Sequence, residues 1–262
     1  MDLHLSGKRA IILGGTKGIG RAAAVALARE GAAVTVAARH DVVEIAAAIA
    51  AETGGVVHGV VIDSRDDASV HAGVAEAVAA MGGVDILVNT AAAPWNPAKN
   101  TPASQTSDEA MRQEFEEKVL GYLRSARAVA PHLVASGWGR IINVSGLGAR
   151  KAGSVAQTVR NISVSAVTKN LADELGPHGV NVTVVHPGMT RTEAVAARID
   201  EAVAAGSPLA DAERSMANNL IGRVVTPEEL ADVITFLASP RSVAITGGAV
   251  DAGGGTPGVV TY

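Results

Sequence analysis

A single α/β domain, built as a doubly wound parallel sheet of seven strands with helices on both faces, is predicted by three observations. Short β-branched runs alternate with alanine-rich amphipathic segments along the whole chain, which is the pattern of βαβ units. The runs are apolar throughout rather than alternating, as strands covered on both faces must be. The length, 262 residues with 48% hydrophobic content, suits one domain that buries roughly three quarters of its unfolded surface.

The strands are expected at 9–13, 33–37, 56–62, 84–88, 140–145, 180–186 and 243–250. Between them the apolar periodicity predicts helices at 19–30, 42–52, 68–80, 108–136, near 163–175, and 227–237. Thr226 before Pro227, Glu228 and Glu229 reads as a cap followed by a helix first turn. Residues 189–219 carry no strand signal and are expected to form helices over the carboxyl ends of the strands, where doubly wound sheets bind ligands. This segment is the candidate lid. No internal repeat and no linker of domain-boundary composition interrupts the chain.

Composition narrows the function classes. Net charge is −4 with both signs scattered, so no electrostatic footprint for nucleic acid or an anionic membrane is present and a small-molecule partner is expected. The absence of cysteine removes disulfides, thiolate metal sites and a cysteine nucleophile, and no metal is expected. Residues 1–9 have charges and a glycine where a signal peptide needs an apolar core, and no apolar run reaches bilayer length, so a cytoplasmic protein is expected. With 2% aromatic content an aromatic ligand cage is not expected, and the core must come from Ala, Val, Ile and Leu.

After the first strand comes Leu13-Gly14-Gly15-Thr16-Lys17-Gly18-Ile19-Gly20-Arg21. Glycines at 14, 18 and 20 permit a tight turn and a close approach of backbone N–H groups to a pyrophosphate at a helix N-terminus, where the macrodipole favours an anion. Alone, such a turn is also compatible with an ordinary βα corner. Placed between strand and helix, it reads as the opening of a Rossmann fold.

This segment resembles the TGxxxGxG motif of the short-chain dehydrogenase/reductase family, and further stretches match in the same order over nearly the whole chain. Asp63 stands where that family places an aspartate beside the adenine, with Ser64 following. Asn89-Thr90-Ala91-Ala92 resembles its NNAG segment, and Ile141-Ile142-Asn143-Val144-Ser145 resembles the strand carrying its serine. His186-Pro187-Gly188-Met189-Thr190-Arg191-Thr192 is similar to the stretch that holds the nicotinamide and phosphates. The residues from Gly222 through Pro227 to Ser239, and from Thr246 to Gly254, resemble the C-terminal helix and last strand. The resemblance implies that Gly14, Thr16, Lys17, Gly18, Ile19, Gly20, Asp63, Ser64, Asn89, Ala91, Pro187, Gly188, Thr190 and Thr192 bind a nicotinamide dinucleotide. It also implies a homo-oligomer, a dimer or tetramer.

The choice between NADP and NAD follows from charge. NAD requires a carboxylate at the end of the second strand for the ribose 2′-OH. That position is Ala38, with Arg39 next to it and Lys17 in the glycine turn. A guanidinium suits a 2′-phosphate, so NADP is favoured over NAD; the lesser alternative is that both residues are ordinary surface charges.

Catalysis is where the chain departs from the family, whose YxxxK pair supplies a general acid/base tyrosine and a lysine that lowers its pKa. Counting back from Leu171-Ala172-Asp173-Glu174-Leu175 places Gln157 and Asn161 at those two sites, and neither transfers a proton. The tyrosines are Tyr122 and Tyr262, and no lysine lies between Lys151 and Lys169, so shifting the register does not restore the motif. The loop before this helix is about two residues short of the common pattern. On the preceding long helix, where the family usually has an asparagine one turn before a glycine, this chain has Lys118. Lysine and asparagine have in effect exchanged places, which would restore an amine to the same cavity from the opposite wall. Glu114 and Lys118 at i,i+4 spacing would equally suit a solvated helix face.

The expected catalytic set is thus Ser145, Lys118, Gln157 and Asn161. Ser145 is the oxyanion donor in one register, while in another the family serine falls on Gly146. Lys118 would be the acid or, in non-redox chemistry, a Schiff-base former. Arg160 is read as a surface residue, with orientation of an anionic substrate as the alternative. His186 is read as a structural strand-end histidine, and Tyr122 as a packed aromatic one turn after Lys118. In an oligomer, Tyr262 on the 253–262 tail would reach a neighbour's site. The favoured function is an NADP(H)-dependent oxidoreductase on a small carbonyl or alcohol; a non-redox lyase or hydrolase and a non-catalytic NADP-binding protein remain the alternatives.

Overall fold

The computed structural model describes residues 1–92 and 101–258. Its sheet has seven parallel strands: β1 (Arg9–Leu13), β2 (Ala33–Ala38), β3 (Val57–Val61), β4 (Ile86–Asn89), β5 (Gly139–Val144), β6 (Val180–Pro187) and β7 (Ala249–Ala252), in the order β3-β2-β1-β4-β5-β6-β7. Register is set by pairs such as Leu13 with Asn89 and Asn143 with Val184. The chain reverses direction across the sheet between β1 and β4, and that switch point opens the crevice used below.

Helices cover both faces. α1 (Gly18–Arg29), α2 (Val42–Thr53) and α9 (Pro227–Ala238) close one face, where Ala23, Ala24, Leu27, Ile49, Ile234 and Leu237 meet the strands. On the other, α3 (Asp67–Met81), α5 (Gly121–Ser136) and α6 (Val155–Leu175) bury Val70, Val74, Val129, Leu133 and Leu171. Alanine lets helix and sheet approach closely, while each fully buried Leu or Val contributes roughly 1.5–3 kcal/mol. α7 (Glu193–Ala204) and α8 (Leu209–Ala217) have a small core of their own, Val195, Ile199, Ala212, Ala217 and Val224, and lie over the carboxyl ends of the strands. Thr226 caps α9 through the Glu229 N–H, and Glu229 returns to the Thr226 N–H, the reciprocal box its sequence anticipates.

Three expectations need correction. The segment 243–250 is strand only from Ala249; Pro240–Ser242 forms a 3-10 turn, and the Asn181 side chain donates to the carbonyls of Val243 and Ile245, holding the β-branched run as a loop. α6 begins at Val155, eight residues before the periodic signal at 163, because Ser154 caps it by accepting from the Gln157 N–H. The helix expected over 108–136 is not regular: α4 (Asp108–Glu114) runs into α5 through a π-helical turn at Phe115–Leu120. Among the described residues no helix is long and apolar enough to cross a membrane. The tail carrying Tyr262 lies outside the described residues from 259 onward.

Candidate active site

A cavity of about 1050 Å³ opens at the carboxyl ends of β1, β2, β4, β5 and β6. Its floor is the turn after β1. A Cβ at Gly14, where φ is +85°, would stand 2.6 Å from the Ala91 nitrogen, and one at Gly20 would stand 2.3 Å from the Gly14 carbonyl oxygen. Only glycine lets α1, β1 and the end of β4 approach this closely. The first turn of α1 therefore presents its N–H groups to the cavity, and the Gly18 N–H donates to Glu193 at 3.1 Å. That carboxylate stabilises the positive end of the helix as a bound anion would.

The sequence-assigned dinucleotide residues converge here with one exception. Thr16 to Gly20 and Gly14, then Arg39, Asp63 and Ser64, then Ala91, and finally Pro187, Gly188, Thr190 and Thr192 all line the cavity. Asn89 does not. It is buried beneath, donating to Asn143 at 2.9 Å and accepting from Ser125 at 2.8 Å, while Asn143 donates to Thr168. A polar network this complete binds β4, β5, α5 and α6 to one another. Thr90, which the sequence reading passed over, lines the wall instead and donates to the Leu13 carbonyl at 2.8 Å.

At the end of β2, Ala38 is followed by the exposed Arg39, with exposed Lys17 in the neighbouring turn; all three line the same cavity. Asp63 is gripped by Arg65 through Nε at 3.0 Å and Nη2 at 2.8 Å. Those bonds, aided by the Arg65 N–H and by Arg39 and opposed by partial burial, bring the Asp63 carboxyl down to about 2. Arg65 was not visible as a partner in sequence, because pairing across two residues depends on the loop's shape.

The opposite wall is built by the π turn. A wider turn rotates the residues after it relative to α4, and here Glu114 and Lys118 are both buried rather than solvated. Lys118 Nζ donates to the Ser145 carbonyl oxygen at 2.8 Å and to Asn161 Oδ1 at 3.3 Å. The lysine and asparagine of the apparent exchange thus meet across the cavity wall. Burial, reinforced by Arg160 and opposed by Glu114, holds the Lys118 amine well below the ordinary lysine value. Arg160 is not a surface residue as expected: it pairs with Glu114 inside the wall, with side-chain exposures of 12% and 10%.

Other expected groups sort by what they touch. The Ser145 hydroxyl donates to the Asn161 backbone carbonyl, so its proton is directed into the protein rather than toward a substrate. At Gly146, the family-serine position in the alternative register, a Cβ would stand 3.2 Å from Asn161 Nδ2. Gln157 lines the cavity one helical turn before Asn161. Tyr122 is packed, its hydroxyl donating to the Val144 carbonyl at 3.0 Å, and burial raises its pKa. His186 is buried beside the Gly146 N–H and Ser165, and desolvation, helped by Arg150 and Lys118 and opposed by Asp251, lowers it to about 4. It is neutral near physiological pH and structural.

From the 189–219 segment, Met189, Glu193, Arg198, Met216 and Asn219 are among the residues that line the cavity. The contact of Glu193 with the glycine turn was also missed in sequence; the signal there was an acid in the first turn of a helix, which is commonplace.

Comparison with known proteins agrees with this architecture. The family model described as enoyl-(acyl carrier protein) reductase matches residues 14–256. The short-chain reductase protein NovJ of Streptomyces niveus is 36% identical over 252 residues, covering 95% of this chain and 93% of that protein. L-Sorbose reductase from Gluconobacter frateurii, solved with NADPH and L-sorbose, superposes with a TM-score of 0.90 at 29% identity over 99% of this chain and 100% of its own. A 7 alpha-hydroxysteroid dehydrogenase solved with NADH and 7-oxo glycochenodeoxycholic acid does so with a TM-score of 0.83 at 26% identity, over 99% and 98%. These relatives are dehydrogenases and reductases, two of them solved with a nicotinamide cofactor, and this chain belongs to the short-chain dehydrogenase/reductase family.

Proposed function

We propose that the protein is an NADP(H)-dependent oxidoreductase acting on a small carbonyl or alcohol, with a remodelled proton-transfer site in which Lys118 takes over from the tyrosine–lysine pair of its relatives. The observation that carries this is the meeting of the Lys118 amine and the Asn161 amide at 3.3 Å in the wall of a cavity whose floor is the glycine turn.

The residues present fit the dinucleotide. The missing Cβ atoms of Gly14 and Gly20 leave a cradle, the N–H groups of Gly18 and Ile19 suit its pyrophosphate, and Arg39 with Lys17 suits a 2′-phosphate at Ala38. When bound, it supplies or accepts a hydride. Lys118 then holds the proton at Nζ: with two of its ammonium N–H bonds fixed by Ser145 O and Asn161 Oδ1, the third is left for the substrate oxygen. A depressed amine pKa eases release of that proton. Gln157 offers a neutral amide N–H to the same oxygen, and Ser145 acts through its carbonyl by orienting Lys118. The 189–219 segment is read as the lid over the substrate, and assembly into a dimer or tetramer is read from the family.

Binding of an anionic dinucleotide competes with Glu193 for the Gly18 N–H. Glu193→Gln is therefore expected to tighten NADPH binding about fivefold, about 1 kcal/mol, in a nicotinamide-fluorescence titration; unchanged affinity would remove Glu193 as a competitor.

The function itself is tested by following NADPH oxidation against small ketones, aldehydes and ketoses. Turnover of one of these is expected. Tight cofactor binding with no turnover on any would favour the second reading, a non-catalytic NADP-binding protein, which the amides at 157 and 161 support because neither transfers a proton.

A further inference from the structure

We propose that Lys118 is also a carbonyl-capturing nucleophile, whose amine forms an imine with a small aldehyde or ketone entering the cavity, independently of any nicotinamide chemistry. The inference starts from the two partners of Nζ. Both the Ser145 carbonyl at 2.8 Å and Asn161 Oδ1 at 3.3 Å are acceptors. A neutral amine has two N–H bonds and one lone pair, so two acceptors occupy both N–H bonds and leave the lone pair as the remaining tetrahedral direction. Lys118 lines the cavity, and two glycines, Gly146 and Gly148, face the Asn161 amide that holds it. Position 146 is glycine, and a side chain there would point toward the Asn161 amide; at Gly148 a Cβ would come within 2.9 Å of the same Nδ2.

Burial first, and then the neighbouring charges, enlarge the unprotonated fraction of Lys118 beside the protonated one that the proposed reduction uses. Facing the amine are Glu114 from its own helix, Arg160 from α6 and His186 from β6, with the Tyr122 ring centre 5.9 Å away. Glu114 is paired with Arg160, and His186 is neutral. Burial and Arg160 together outweigh Glu114 and enlarge the free-amine fraction near neutrality.

The step balances without a further reagent. The Nζ lone pair bonds to the carbonyl carbon while the π pair moves to oxygen; oxygen takes up a proton and nitrogen releases one, giving a carbinolamine. The C–O bond then breaks, water leaves, and a C=N bond remains. Such an imine withdraws electrons from the adjacent carbon, the chemistry behind decarboxylation and aldol cleavage.

The test uses the full chain without nicotinamide. The protein is incubated near neutral pH with acetone or with pyruvate, reduced with sodium borohydride, digested, and its lysines compared by mass spectrometry. Hydride from the reagent fixes the imine as a secondary amine. Lys118 is expected to carry the adduct about tenfold or more above exposed Lys17, Lys151 and Lys169, because an ordinary lysine keeps only about one amine in a thousand unprotonated there. Adduct spread evenly over the exposed lysines, or absent from Lys118, would overturn the proposal. Because the comparison is made within one wild-type sample, it does not depend on a variant folding. Lys118→Arg, if it melts like the wild type, is expected to lose preferential capture at low probe concentration; the same total labelling in that variant would also overturn it. Because no dinucleotide is present, the result is separate from that of the NADPH turnover screen.

Discussion

Replacing Lys118 by Met is expected to lower turnover by about two to four orders of magnitude, the usual contribution of a positioned acid, and to leave NADPH affinity as it was. The amine, the proposed proton donor, is held between Ser145 and Asn161, whereas the glycine turn and Arg39 lie on other walls of the cavity. Methionine fills a similar volume. It leaves two carbonyl acceptors less well satisfied, at about 1–3 kcal/mol, but removes the burden of desolvating an amine, so the fold is retained. Steady-state rates beside a fluorescence titration separate the two quantities. Turnover unchanged in a folded Lys118→Met protein would contradict the proposed role.

Gly20→Ala has the second large effect, and acts on binding and stability together. The added methyl would lie 2.3 Å from the Gly14 carbonyl oxygen and 2.5 Å from Thr90 Oγ1, and Thr90 is itself held to the Leu13 carbonyl. Neither neighbour is the free end of a flexible side chain. α1 must move off β1 and β4, at a cost of about 1–3 kcal/mol, and its first N–H groups move with it. Cofactor affinity is expected to fall by about tenfold or more on the usual scale of 1.4 kcal/mol per decade. Gly176→Ala is the control, since a Cβ there meets nothing within 4 Å and φ is −55°; it should change neither melting nor binding. Equal behaviour of the two variants would contradict the close-approach account of Gly20.

The parts of this fold legible in sequence are those fixed by local pattern. The strands β1 to β6 and the helices packed on them are continuous apolar runs or periodic stripes, and the glycine turn is short and has one conformational solution. β7 was displaced because Val243-Ala244-Ile245 has strand composition, yet the Asn181 amide holds that run in a loop. The start of α6 was hidden because Gln157, Arg160 and Asn161 line the cavity and this stretch carries no apolar stripe.

The site was legible as a set of residues but not as a set of bonds. Lys118 and Asn161 could be paired from their reciprocal substitution, but the burial of Lys118 depends on a π turn that no residue pattern announces. The direction of the Ser145 hydroxyl, the seating of Asn89 beneath the cavity, the Glu114–Arg160 pair and the contact of Glu193 with α1 all arise from elements distant in sequence. Such contacts appear only once the sheet order has brought those elements together.

The most direct test of the dinucleotide reading is a titration of the wild type and of Arg39→Ala with NADPH and with NADH, followed by nicotinamide fluorescence. NADPH is expected to bind more tightly than NADH, and loss of Arg39 is expected to weaken NADPH by about tenfold or more, as for a charge-assisted phosphate contact, with little change for NADH. Binding of neither cofactor, or equal affinities untouched by Arg39→Ala, would contradict it.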